Sequence, residues 1–475
     1  MRFTTSHGRA LLCACGVWVL AGLLPVGPAA AQALDEALAQ AYMGNPALNG
    51  ARATLRSVDE GVPQARAQSR PSASVVGSAG RTVTHAGIAG FEGKPTVPDG
   101  VAASGYPNNW YPTTPRTAGV SVTQPLYKGG GIDAGIEQAE ATVRAQRAAL
   151  LDTEQTVLLL AATAYLDVVQ AQALLELQTN FESVQKRDLE AFQGRFRAGE
   201  VTLTDVSLQE AQVASATAAR ISAEGTLISA RAAYAKLVGS RPGKLGLPKL
   251  SYPLPASLDE AVAEARGRSP KVVTAVHTES AAKAAVDVAD SGLLPTVSIT
   301  ASALHNLDRT KRDDFSTAGS VIANLSIPLD GGGLAAKSRA ARQSANAARI
   351  NVEQTTRTAE ESAIDAWQAL ATSRASIASF QAAVKANTLA SEGMRQQVAV
   401  GSSTVIDLLN TEQTLLSTRV NLVKAQHDEG VSIFSLLASV GELTAQTLKL
   451  PVQYYDYEAH YRNVRDRWYG YGIDE

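Results

Sequence analysis

Along this chain the spacing of apolar residues switches between a period of two and a period near three and a half, and it does so in the same order twice. In AGSVIANLSIPL (318–329), Val321, Ala323, Leu325 and Ile327 take one face of a strand, and Ser320, Asn324 and Ser326 take the other. In TVSITASA (296–303), Val297, Ile299 and Ala301 oppose Ser298, Thr300 and Ser302, and GVSVTQ (119–124) alternates in the same way. Strands are expected over about 70–84, 116–127, 295–307 and 315–329. Strands of about ten residues with one apolar and one small polar face suit a barrel with lipid outside and water inside. A half-buried soluble sheet alternates too, so the number of strands has to decide between them. Four strands cannot close, and the smallest barrels use about eight, so a spanning sheet needs several chains.

After each strand pair the pattern becomes helical. Residues 132–198 and 334–400 contain no proline and are rich in Ala, Gln, Glu and Leu. At 1.5 Å per residue each predicts a helix of roughly 100 Å. Seven-residue spacings, as in Leu370, Ile377 and Val384 or Leu408, Leu415 and Leu422, predict coiled-coil packing. Frequent alanine lets helices approach on more than one face.

The chain is also an internal duplication. LDEALAQAYMGNP (34–46) returns as LDEAVAEARGRSP (258–270), and QPLYKGGG (124–131) returns as IPLDGGG (327–333). GEVTLTDVSLQEAQVA (199–214) and GSSTVIDLLNTEQTLL (401–416) align through Gly199 with Gly401, Asp205 with Asp407 and Glu210 with Glu412. The organisation expected is repeat 1 over 32–250, repeat 2 over 251–450 and an aromatic tail over 451–475. Within each repeat, short helices precede two strands, a very long helix, a tip and a returning helix. Pro46 and Pro270 suit the first helical position, with Asn45 and Ser269 available as caps.

Residues 1–31 read as a cleaved secretory signal. Arg2 and Arg9 precede the apolar run LLCACGVWVLAGLLPV, which ends in small residues. A lipoprotein reading of Cys15 fails because that cysteine opens the apolar run instead of following it. Cleavage would remove both cysteines and leave 41 basic against 45 acidic side chains, a formal charge of −4. That gives no reason to expect nucleic acid, a disulfide or a thiol metal site. Beyond the signal no apolar stretch approaches the roughly 20 residues of a spanning helix, so a membrane role falls to the strands.

The paired repeats, the strand-to-helix junctions QPLYKGGG and IPLDGGG and the tips RAGEVTLTDVSLQEAQ and VAVGSSTVIDLLNTEQTLL together resemble the TolC-like outer-membrane channel-tunnels of type I secretion and multidrug efflux. The resemblance implies an α+β membrane protein. In such a fold a homotrimeric 12-stranded β-barrel, four strands per chain, continues into a long α-helical coiled-coil tunnel through the periplasm. It further implies a passive exit duct in the outer membrane, opened by a periplasmic membrane-fusion adaptor and an inner-membrane ABC or proton-driven pump. No catalytic residue, cofactor or metal is implied.

On that resemblance the periplasmic entrance is formed by Asp407, Asn410, Ser403 and Asp205, with Gly199, Gly401, Arg195 and Arg197 at the hairpin tips where an adaptor docks. Three copies of Asp407 would make an anionic ring. The alternative is that Asp205 and Asp407 cap the returning helices. The chain departs from familiar members in carrying Asn410 for a second acid, Ser403 for an arginine and Val398 for a tyrosine, so Arg195 or Arg197 is left to supply a latch. Gly129, Gly130, Gly131, Gly331, Gly332 and Gly333 read as flexible strand-to-helix junctions. They also match a dinucleotide fingerprint, weakly, because the strands alternate and the following helix is several times too long. Histidines 85, 277, 305, 427 and 460 lack metal or triad spacing. Dense tyrosines in the tail predict either a packed belt on the tunnel or a recruitment segment. A non-conducting coiled-coil adhesin or structural envelope protein is the competing function, and conductance separates the two.

Overall fold

Two helices of 67 residues, α4 (Gly131–Arg197) and α8 (Gly333–Ala399), set the scale of the fold, each roughly 100 Å long. Each reverses at a glycine and returns through a helix about half as long, α5 (Leu203–Val238) or α9 (Val405–Ser439). This computed structural model describes residues 34–85, 110–248, 250–309 and 313–473. The expected signal at 1–31, with Cys13 and Cys15, lies outside the described residues.

Shorter helices precede each strand pair: α1 (Leu34–Gly44), α2 (Pro46–Asp59) and α3 (Gly61–Ala67) in the first repeat, and α6 (Leu258–Arg268) and α7 (Pro270–Ser291) in the second. Asn45 caps α2 by accepting from the Ala47 N–H at 2.9 Å, and its amide also donates to the Leu237 carbonyl. Ser269 makes no such bond at α7, where proline at the first position already removes one orphan donor.

The largest core is a band where α1, α2, α4, α5, α9 and the chain after α9 meet, built on Leu38, Leu48, Leu158, Tyr165, Tyr234, Phe434 and Leu443. Tyr165 donates to the Gly246 carbonyl at 2.9 Å, and Phe434 meets Tyr252 edge-on at 5.4 Å. One window of α4 is long and apolar enough to cross a membrane by composition, more than the sequence reading allowed, but half of it is buried in the chain, as a core helix requires. Midway along the bundle His427 of α9 meets Asp167 of α4 at 2.7 Å, and that carboxylate raises the imidazole pKa.

The four-stranded sheet runs β1 (Ser72–Ala79), β4 (Arg116–Lys128), β5 (Thr296–Leu307), β6 (Phe315–Ser326), all antiparallel. Its register stacks like on like. Val75 faces Val120, Val122 faces Ala301, Ala301 faces Val321, and Val297 faces Leu325, so one face is apolar through the middle of the sheet, with Gln124 towards the helices and His305 and Thr317 towards the far end. The other face carries Ser121 together with Thr123, Thr300, Ser302, Ser320 and Asn324, and the last five hydrogen-bond across strands, as in Ser302 to Ser320 at 2.9 Å and Thr123 to Thr300 at 3.3 Å. Apolar residues interrupt that face at Val76, Leu304, Ala318 and Ile322, and a Cβ on Gly119 would lie 2.7 Å from the Leu304 side chain, so the glycine makes room for the leucine. β1 and β6 are the unpaired outer strands.

One strand expectation is corrected. The segment 70–84 is two strands, β1 and β2 (Thr82–His85), parted at Gly80 and Arg81. Opposite the gap, Pro115 has no N–H to give, and its carbonyl accepts from the Gly80 N–H at 3.0 Å. β2 pairs with β3 (Trp110–Thr113) in a ribbon beyond the sheet. Trp110 and Tyr111 therefore sit in a strand of their own, opposite His85 and Thr84, and do not lead directly into β4.

Packing between α4 and α9 is tight at Gly430, where a Cβ would come within 2.8 Å of one Leu166 methyl and 3.2 Å of the other. Gly430→Val should prise these helices apart and cost about 1–3 kcal/mol. Gly225→Ala, at an α5 position with nothing within 4 Å, should be neutral or stabilising. Thermal unfolding followed by circular dichroism checks the pair.

Candidate functional site

At the ends of the helical hairpins the chain turns on Gly199 and Gly401, with φ of 75° and 74°. The Gly199 N–H donates to the Phe196 carbonyl and the Glu200 N–H to the Arg195 carbonyl; Gly401 and Ser402 repeat this with Val398 and Gln397. Such a left-handed helix end favours glycine for its backbone alone. No atom within the chain lies within 4 Å of a Cβ at either position, so conformation and not crowding selects the residue.

Each returning helix then opens with the same device. Thr202 and Thr404 are the N-caps, and Asp205 and Asp407 are the third helical residues, closing complete capping boxes. Oδ2 of Asp205 accepts from the Thr202 N–H at 2.9 Å and hydroxyl at 2.7 Å, while the Thr202 oxygen accepts from the Asp205 N–H at 3.2 Å. Asp407 has the same arrangement with Thr404. The acids are thus partners of a cap supplied by threonine, which the spacing T-x-x-D in TLTD and TVID could have disclosed.

Capping uses one oxygen of each carboxylate. Asp407 remains exposed, and exposed Asn410 lies three residues on, over the same helix face. Ser403 is tied to the Gln397 side chain at 2.9 Å. Arg197 bonds only back to the Gln193 carbonyl of its own helix. Arg195 pairs with Glu200 at 3.2 Å and reaches the Val398 carbonyl of the other hairpin at 3.5 Å. Beneath it Phe192, Val398, Val405 and Leu408 form a small core joining the two tips. Val398, standing where a tyrosine was expected, is buried in that core.

About three turns above the tips lies a polar cluster that no motif announced. The Gln185 amide of α4 donates to Oε2 of Glu412 in α9 at 2.6 Å, and Arg395 of α8 donates to Oε1 of the same carboxylate. Gln209 of α5 donates to the Gln185 side-chain oxygen at 2.8 Å. One chain of hydrogen bonds therefore crosses all four helices, around a Glu412 that is 5% exposed. Beside it, burial and then Glu412 raise the pKa of Asp188, against Arg395 and Arg187. Within the first hairpin, hydrogen bonds from Lys186 and Thr217 help hold the Glu182 carboxyl down at about 2. Gln185, Gln209 and Arg395 look in sequence like ordinary helix-surface residues.

At the opposite end, where strands become helices, the two glycine triplets have diverged. Gly129 and Gly130 have φ of 60° and 78°, and Cβ atoms on Gly129 or Gly131 would lie within 2.6 Å of Ser291, so the end of α7 is packed against them. In the second triplet only Gly332 has positive φ, nothing crowds Gly331 or Gly332, and Asp330 caps α8 by accepting from the Leu334 N–H at 2.6 Å.

A family model described as outer membrane efflux protein matches residues 34–240 and 261–442, one segment in each repeat. The chain is 33% identical over 474 residues to the outer membrane efflux protein BepC of Brucella suis biovar 1, covering 99% of this chain and 98% of that one. It is 25% identical to the outer membrane protein TolC of Vibrio cholerae over 72% of this chain and 82% of that one. Among solved structures, the CmeC outer membrane channel of Campylobacter jejuni superposes with a TM-score of 0.75 at 15% identity, covering 88% of each chain.

Arg395→Ala would strand a buried carboxylate, and because the arginine is half exposed the cost should be about 1–3 kcal/mol. Glu412→Gln, which keeps an acceptor for Gln185, should cost less. Hydrogen exchange should show faster opening of 185–215 and 390–415 in Arg395→Ala, with the band around Phe434 unchanged.

Proposed function

The chain belongs to the outer membrane efflux protein family and is an exit duct of the outer membrane, and from that premise we propose that it works as a homotrimer whose three four-stranded sheets close one 12-stranded barrel above a common helical tunnel. The observation that carries this reading is the sheet: one face apolar, the other hydroxyl-lined, and both outer strands unpaired. In hydrocarbon every backbone N–H and C=O needs a partner, so β6 of one copy must pair with β1 of the next. The apolar face then meets lipid and the hydroxyl face lines water. A non-conducting adhesin has no use for a hydroxyl-lined face.

The tunnel is closed at rest near the tips, where Asp407 of three copies surrounds the axis. Its uncapped oxygen and its exposure support an anionic ring that attracts cations. With Asn410 and Ser403 in place of further charge, the ring is single. The latch within one chain is the Arg195 contact to Val398 together with the Gln185, Glu412 and Arg395 clasp. A periplasmic adaptor docks in the hairpin grooves of 186–215 and 388–420, a helix-in-groove contact, and an inner-membrane pump of the ABC or proton-driven type supplies the energy. The protein itself catalyses nothing and needs no cofactor.

The mature protein extracted in detergent should have the mass of a trimer, and a monomer with native secondary structure overturns the closure argument. In planar bilayers the trimer should conduct and prefer cations. Asp407→Asn keeps an oxygen acceptor for Thr404 while losing the charge, so trimer mass should persist and cation preference should fall. Identical selectivity in the variant and parent would leave Asp407 as part of a helix cap and nothing more.

A further inference from the structure

We propose that the last described residues, 468–473, form a membrane-interface anchor that binds the headgroup region of the phospholipid leaflet facing the periplasm. This rests on the reading above that the sheet spans the bilayer. After the core band the chain climbs along α4 towards the strands. Tyr457 donates to Glu154 at 3.1 Å, Arg147 pairs with Glu458 at 3.1 Å, Tyr461 donates to Glu140 at 3.4 Å, and Trp468 reaches a shallow hollow beside Ile136 and Pro71. From Glu154 to Ile136 that ascent covers roughly 27 Å of helix. It stops one residue short of β1, where all four strands meet their helices.

The character of the segment changes where the climb ends. Up to Asp466 it is pinned, by Asp466 to Arg66 at 2.5 Å and by Arg70 donating to the Arg467 carbonyl at 2.9 Å. Beyond that Trp468 is 57%, Tyr469 85% and Ile473 87% exposed, and Tyr471 is fully exposed. This end is shaped rather than loose. Gly470 has φ 121°, and the Arg467 guanidinium packs where its Cβ would lie while donating to the Tyr469 carbonyl at 3.2 Å. Arg70 stacks on the Trp468 ring at 4.5 Å.

Aromatic rings with a polar edge partition to the headgroup level of bilayers, and a neighbouring arginine suits anionic phosphates. Exposed apolar residues of the sheet also lie at this level, because Leu126, Tyr127, Ile327 and Leu329 are exposed where the strands give way to the helices. On the spanning reading this is the height where hydrocarbon gives way to headgroups.

Cleavage of the signal leaves a chain without thiols, so single cysteines can carry nitroxide labels. Tyr471→Cys, Val321→Cys on the apolar sheet face and Ser402→Cys at the tip would be labelled in the mature protein and reconstituted in phosphatidylethanolamine and phosphatidylglycerol vesicles. Power saturation against oxygen and a nickel chelate reports depth. The Tyr471 label should show an oxygen-to-nickel accessibility ratio several-fold above that at Ser402 and below that at Val321. A ratio equal to that at Ser402 places the segment in water and overturns the proposal. A label shielded from both reagents means that another protein surface, such as a neighbouring copy, covers it, and overturns it equally. If the Val321 label is itself aqueous, the spanning sheet is what fails.

Discussion

A strand edge cannot stay open in hydrocarbon, and most of this chain's design answers to that constraint. Each backbone group left without a partner in a bilayer costs several kcal/mol. Here β1 and β6 are the two unpaired edges of a sheet that commits one face largely to apolar residues, the face that meets lipid on the proposed reading. Polar edge residues would spoil the lipid face, and a covering helix has no place in a barrel wall, so pairing between copies is the remaining solution. That is why the proposed assembly is decided by the sheet and not by the helices, although the helices are far longer.

In the proposed trimer the helices inherit the symmetry the strands require. Each strand of the sheet joins a helix at the same end of the sheet, so closing the barrel would force the helices into a ring beneath it. A ring asks each helix to pack on two sides, and the chain answers with small residues: Ala363 and Ala366 are buried in α8, and Gly430 lets α9 meet α4. The bulk of the apolar core is confined to one band near the middle, around Phe434 and Tyr165. The tips have a much smaller core of Phe192, Val398, Val405 and Leu408, with Val201, Met394 and Leu409 packed against it, and above it the hairpins meet through the polar clasp. Local stability follows buried apolar contact, so the end nearest the proposed adaptor site is the end least held by it.

Much of this was legible in the sequence because the relevant signals are periodic. Alternation in 296–303 and 318–329 assigned the sheet faces, and the register pairs them face to face. The duplication placed both glycine turns. What escaped were features with no period. The gap between β1 and β2 depends on Pro115, which lies across the sheet and over thirty residues away in sequence. The clasp joins Gln185 to Glu412 across 227 residues, and a glutamine on a helix surface carries no mark of its partner. The helix-cap alternative for Asp205 and Asp407 lay close to the outcome, but the cap residues themselves are Thr202 and Thr404, three positions earlier. The tail offered two readings, and its two halves divide them: the part to Asp466 is packed, and the end is exposed.

The comparison of the two repeats carries the argument one step further. Where both copies must do the same mechanical work they have stayed alike: Gly199 with Gly401, Thr202 with Thr404, Asp205 with Asp407. Where their surroundings differ they have diverged. The first glycine triplet is packed against Ser291 of the second repeat, while the second triplet faces open space in the single chain. In the proposed trimer the position that Ser291 at the end of α7 takes beside the first triplet corresponds, through the pseudo-repeat, to the end of α3 of an adjacent copy beside the second. The open triplet and the unpaired strand β6 are adjacent in the chain, so on that reading one docking event between copies would satisfy both. A contact that one repeat finds inside the chain is then left by the other for the chain's boundary, which is what a ring built from repeats requires.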